Sequence, residues 1–192
     1  QEPSPEQIAA FIPWMDIIAW RDSEDFKSLP VETRLIVGLY TYIPPQRLDY
    51  TPMRICPRLP KKPEDGINYL VMAKKSAKFI FRAYKTAKTY GDIIHPVPLP
   101  LFTLLCEYLG ERRTGYLFQK NAVAWLEEKL GKTVRAIFQT KFNKDFGING
   151  LRHSFITYQN KGMPSIATMK EDALSMAHSV ITHQTYRHIT LE

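Results

Sequence analysis

The chain has 192 residues, of which 44% are hydrophobic and 12% aromatic, with nine Gly. This composition excludes a disordered or collagen-like chain and allows one domain, or one large and one very small one. The formal net charge is +7, and it is unevenly spread. Residues 1–50 hold 4 Lys or Arg against 8 Asp or Glu, whereas residues 51–192 hold 22 against 11. A basic chain invites a polyanionic partner, most often nucleic acid, although charge that merely aids solubility gives the same sum. There is no run of about 18 apolar residues of the kind a membrane helix needs. The start, broken by Glu2, Glu6 and Pro13, does not read as a signal peptide. Cys56 and Cys106 stand in no metal or redox spacing, so a reduced, intracellular protein is expected.

In chain order, Ser4, Pro5 and Gln7 resemble an N-cap, a first-turn proline and a capping-box residue. Apolar residues from Ile8 to Trp20 predict helix, kinked or split at Pro13. Residues 21–30 read as a loop or frayed turn. Val31 to Tyr42 predicts a helix burying Leu35, Ile36, Leu39 and Tyr40, stopped by Pro44 and Pro45. The period then changes. Tyr69–Met72, Phe79–Phe81 and Ile93–Val97 are short β-branched or apolar runs between basic turns, and predict a small antiparallel sheet. Pro98 and Pro100 introduce a helix over about 101–110, with Leu101, Leu104, Leu105 and Tyr108 buried and Gly110 at its end. Short helices are predicted at about 119–130, 133–143, 151–160, 165–177 and 182–189. The fold class is therefore mainly α with a small antiparallel β-sheet, an α+β chain.

Four of the five histidines, His153, His178, His183 and His188, lie in the last forty residues. The five-residue steps between the last three do not stack side chains on one helical face, and no cysteine is near, so no metal site is assigned. Arg152, at the start of the helix predicted over 151–160, could form an anion pocket with backbone N–H groups. On its own it reads more readily as an ordinary surface arginine.

The combination of motifs is more specific. Leu151-Arg152-His153-Ser154-Phe155, then Met176-Ala177-His178-Ser179, then Tyr186 resembles the closing signature of the tyrosine recombinase (integrase) family. Pro45-Gln46-Arg47-Leu48-Asp49-Tyr50 is similar to the family's upstream arginine site. Tyr84-Lys85-Thr86-Ala87-Lys88, followed by Pro96-Val97-Pro98-Leu99, is similar to its lysine hairpin. The order is the family's, and the likeness covers nearly the whole chain. The wording of the arginine and lysine sites resembles integrases of large DNA viruses, virophages and related mobile elements.

The resemblance implies the family's catalytic-domain fold, related to type IB topoisomerases, over residues 1–192, with the usual N-terminal core-binding domain lying outside this sequence. It implies strand cleavage and rejoining through a 3′-phosphotyrosyl link. Arg47 and Arg152 would clamp the phosphate, His178 would donate to it, Lys85 would be the general acid and Tyr186 the nucleophile. Asp49 would orient the arginines. No cofactor and no metal are implied. The partner would be double-stranded DNA, tracked by Lys74, Lys75, Lys78, Arg82 and Lys88, with a tetramer on paired sites for the full-length protein and a monomer for this chain without DNA. The place of action would be intracellular, at DNA. A sheet edge merely protected by lysines is the plainer reading of the basic cluster.

Three departures stand out. Asn149 occupies the position where the family often has His, and an amide can donate a hydrogen bond but cannot carry a proton near pH 7. Ala177 replaces a glycine, and the interval from His178 to Tyr186 is slightly short. His153 reads as structural, and Tyr158 is set aside as nucleophile because it follows Arg152 in the same helix. A topoisomerase-like relaxing enzyme and a DNA-binding module with a degenerate site are the alternatives.

Overall fold

The computed structural model describes residues 4–160, 171 and 174–176. His178 and Tyr186, and most of the two last predicted helices, lie outside the described residues.

Pro13 splits the first apolar stretch, as its missing N–H requires. α1 spans Pro5–Ala10 and α2 spans Trp14–Arg21. Ser23 then accepts a hydrogen bond from the Phe26 amide and caps a short turn of helix, α3, Glu24–Lys27. α4, Val31–Thr41, is buried from Leu35 onward. It lies against α6, Leu99–Leu109, at Gly38, where a Cβ would come within 3.1–3.3 Å of Leu104 and Leu101. The absent side chain is what allows the close approach.

Between these helices lies a four-stranded sheet in the order β1 (Met53–Cys56), β2 (Asn68–Met72), β3 (Ala77–Phe81), β4 (Ile93–Pro96). Pairing is antiparallel from β2 to β4, as expected, but β1 runs parallel to β2, with Met53 opposite Asn68 and Cys56 opposite Val71. The sheet is therefore mixed. A parallel pair needs a crossover, and residues 57–67 supply it. Leu59 and Ile67 pack on Tyr69, Val71 and Ile80 on one face of the sheet. The other face meets α4 through aromatic edges. Tyr50 lies 5.4 Å from Tyr40 and 5.5 Å from both Phe79 and Phe81, all T-shaped. With both faces covered, every residue of β2 is buried. A short helix, α5, Ala87–Tyr90, interrupts the connection from β3 to β4.

The helix expected over 119–130 is corrected. Residues 119–124 form a two-stranded hairpin, β5 (Gln119–Lys120) and β6 (Val123–Ala124), turning at Asn121 and Ala122 with φ of 50° and 64°. Two consecutive left-handed residues are the geometry of a tight hairpin turn. The helix expected to start at 133 instead begins earlier, as α7, Glu127–Phe142, and runs through Gly131. Leu130, Val134 and Phe138 form its buried stripe, which offsets the roughly 1 kcal/mol that an interior glycine costs. Phe138 and Phe142 pack on the edge of Trp20. The last fully described helix, α8, Ile148–Gln159, begins three residues before the expected start. No described helix is long and apolar enough to cross a membrane.

Candidate active site

The segment after α4 carries Arg47 and is fixed by its neighbours. The Tyr40 hydroxyl donates to the Arg47 carbonyl at 2.9 Å, and the Arg47 N–H donates to the Asp49 carboxylate at 3.2 Å. Burial raises the pKa of the Asp49 carboxyl, against the opposing pull of that N–H and of the charges of Arg152 and Arg47. Asp49 thus feels the charges of both arginines, though burial outweighs them. Burial also pushes the hydroxyls of Tyr40 and Tyr50 well above their usual range, and each donates to a backbone carbonyl. Neither is available as an easily ionised phenol.

Arg47 lines a cavity of about 600 Å³ together with Asn149, Gly150 and His153 at the start of α8 and Lys132 and Arg135 on α7. Asn149 and His153 are four apart, so α8 presents both on one face. His153, read as structural from sequence, therefore shares a cavity with Arg47. That spacing was the available signal. Charges of both signs surround the space: Arg135 is paired with Asp145 at 3.0 Å and Lys132 with Glu128 at 2.5 Å.

Arg152 is elsewhere. It is the fifth residue of α8, 0% exposed, and does not line the cavity. Its Nη1 donates to the Pro45 carbonyl at 2.7 Å and its Nη2 to the Met176 carbonyl at 3.2 Å. Neither a surface arginine nor an open anion pocket at a helix start describes this. The guanidinium joins the Arg47 segment, α8 and the chain two residues before His178.

Lys85 is exposed, on the connection between β3 and α5, and does not line the cavity. Asn68, which the sequence reading passed over, ties that connection to the arginine segment. Its Oδ1 accepts from the amides of Arg82 and Ala83, both at 2.8 Å. Its Nδ2 donates to the carbonyls of Asp49 at 2.8 Å and Ala83 at 3.1 Å. At 2% exposure, an amide with its bonds made is a rigid fastener. An isolated Asn in an apolar strand was the only hint of it.

Of the proposed phosphate-tracking residues, Lys74 and Lys75 occupy the exposed turn between β2 and β3, and Lys78 and Lys88 are also exposed. Arg82 is engaged with Asp92 at 3.0 Å. Among the described residues, no group of three His, Cys, Asp or Glu side chains could hold a metal ion.

No family model matches the chain, and no curated protein matches it. Solved structures do. The crystal structure of XerA recombinase superposes with a TM-score of 0.66 at 18% identity, covering 99% of this chain and 62% of that one. XerH site-specific recombinase bound to difH substrate, in a pre-cleavage complex, gives 0.58 at 17%, covering 94% of this chain and 50% of that one. The post-cleavage complex of XerH with palindromic difH substrate gives 0.55 at 16%, covering 94% and 49%. The chain thus spans about half to three fifths of the recombinases it matches. Helices around a small mixed sheet, in this order and over nearly the full length, give it the fold of a tyrosine-recombinase-type catalytic domain.

Proposed function

We propose that this chain is the catalytic domain of a site-specific DNA recombinase that cleaves and rejoins strands through a 3′-phosphotyrosyl intermediate, serving integration of a viral or mobile DNA element. The observation that carries the reading is the convergence of distant segments. Arg47 and Asn149 line one cavity, and Arg152 ties the Arg47 segment to the chain leading to His178.

In this reading the cavity takes the scissile phosphate. Arg47 neutralises the charge that grows on the non-bridging oxygens, and Asn149 donates a further hydrogen bond. Such a donor is typically worth about 3 kcal/mol in the transition state. Tyr186 attacks phosphorus as its phenolate, the phenol proton having passed to solvent. The new bond joins the 3′ phosphate to the tyrosine oxygen as the bond from phosphorus to the 5′ oxygen breaks, and Lys85 gives its proton to that departing oxygen. A 5′ hydroxyl reverses the step, so the bond energy is retained and no nucleotide triphosphate is consumed. Double-stranded DNA is the partner, with paired sites bringing four protomers together.

The burial of Arg152 favours a second reading of that one residue. With its guanidinium on two backbone carbonyls, it organises the site rather than touching phosphate. Contact with phosphate would require DNA binding to open its edge.

The test is a randomised pool of nicked duplexes that trap covalent protein by losing the short strand. The wild-type chain is expected to form an adduct and Tyr186→Phe none. An adduct persisting in the variant, or none from the wild type, would overturn the assignment. A supercoiled plasmid that relaxes without exchange of marked strands would point to topoisomerase-like action instead.

A further inference from the structure

Gln46, next to Arg47, is 1% exposed. Its Nε2 lies 2.9 Å from the Pro44 carbonyl oxygen and 2.8 Å from that of Ser175. An amide nitrogen facing two carbonyl oxygens fixes the side chain's orientation, since the reversed amide would set three oxygens together. His95, on β4, brings its Nε2 to 3.0 Å from the same Ser175 oxygen. A carbonyl accepts only, so His95 carries its proton on Nε2. The nearby Gln46 nitrogen, 3.3 Å from that ring nitrogen, is then a second donor aimed at the same acceptor rather than its partner. The imidazole is itself oriented by Phe81, edge-on at 5.9 Å, and by the pairing of His95 with Phe79. Burial lowers its pKa and favours the neutral ring.

Two donors from the arginine segment and the sheet thus meet on one carbonyl of the chain that leads to His178. The adjoining Met176 carbonyl is held by Arg152. We propose that Gln46 and His95 are positioning residues, clasping the Ser175 carbonyl so that residues 174–176, which lead in sequence to His178, are held fixed relative to the Arg47 segment. This rests on the function proposed above. Its physical basis is that a displacement of about 1 Å at a reacting group can cost on the order of a hundredfold in rate.

The test uses the whole chain carrying Gln46→Leu, His95→Phe or His95→Gln. It follows cleavage of the nicked duplex at saturating DNA, DNA affinity, melting temperature and amide exchange over residues 174–178. Gln46→Leu and His95→Phe are expected to slow cleavage by about tenfold or more and to speed amide exchange, with affinity little changed and cleavage followed well below the melting temperature of each variant. His95→Gln, whose amide nitrogen reaches the same carbonyl, is expected to recover most of the rate. Unchanged cleavage, a loss that follows DNA affinity or melting, or a His95→Gln variant as slow as His95→Phe would overturn the proposal. If His95→Phe does not fold, Gln46→Leu carries the same comparison. If the wild type forms no adduct, the catalytic reading fails by itself. Amide exchange then still decides the clasp: faster exchange in the variants supports it, and unchanged exchange overturns it.

Discussion

Arg152 and Pro45, 107 residues apart in sequence, are joined by a hydrogen bond of 2.7 Å inside the protein. A charged group at 0% exposure is tolerated only where its donors are used. Replacing Arg152 with Ala leaves the carbonyls of Pro45 and Met176 without this donor, at about 1–3 kcal/mol for each buried group. Arg152→Ala is therefore expected to lower unfolding free energy by several kcal/mol in a urea titration. Arg152→Lys, which has no planar fork with which to span two acceptors, should recover only part. Equal stability of all three proteins would contradict the buried geometry.

Asn68 offers a sharper comparison, because Asp has its shape but not its donors. Asn68→Asp keeps an acceptor for the amides of Arg82 and Ala83 and loses the bonds to the carbonyls of Asp49 and Ala83. A carboxylate facing carbonyl oxygens in a buried setting is expected to cost about 2–4 kcal/mol. Denaturant unfolding at neutral pH measures it. A loss below about 0.5 kcal/mol, the usual range of surface changes, would show that the amide network is not closed.

The raised pKa of Asp49 has a definite sign in stability. A carboxyl that holds its proton more tightly when folded than when unfolded favours the fold fully below the ordinary carboxylate range. That contribution fades as pH rises through the elevated folded value. Asp49→Asn, neutral throughout, should gain stability relative to wild type as pH is raised from the ordinary carboxylate range toward neutrality. Urea midpoints of the two proteins across this range check it. A gap that widens in the opposite direction would mean that the charges of Arg47 and Arg152 outweigh burial.

If the lysines at the β2–β3 turn follow the phosphate backbone, binding must release counterions. Lys74→Ala combined with Lys75→Ala should flatten the plot of log affinity against log salt by about 2, near 0.9 for each phosphate no longer neutralised. Arg82→Ala should change it less, because Asp92 already engages that side chain. A slope unchanged by the double substitution would leave the cluster as edge protection.

The limits of the sequence are physical ones. α4 and α6 were legible because their apolar residues recur at helical spacing and prolines bound them. β1 was missed: four residues are too few to show alternation, and its partner β2 is reached only through the crossover at 57–67. The β5–β6 hairpin turns on Asn121 and Ala122, where a glycine would have announced it. At the site, the arginine motifs could be located, but the sequence could not show that Arg152 faces inward while His153, the next residue, lines the cavity. That depends on how α8 rests on the Pro45 segment, a contact between parts of the chain far apart in sequence.

The two ends of the sheet differ in their openness to other chains. Beyond β1, residues 115–117 already occupy the backbone: the Ile55 amide donates to the Gly115 carbonyl and the Leu117 amide to the Met53 carbonyl, both at 2.8 Å. The other end is β4, which finishes at Pro96 and is followed closely by Pro98. Proline offers no amide to an incoming strand, so the segment available for strand addition is very short. Recruitment of a second copy by sheet extension is disfavoured at both ends. If copies assemble on DNA as proposed, they would have to meet through surfaces other than the edges of the sheet.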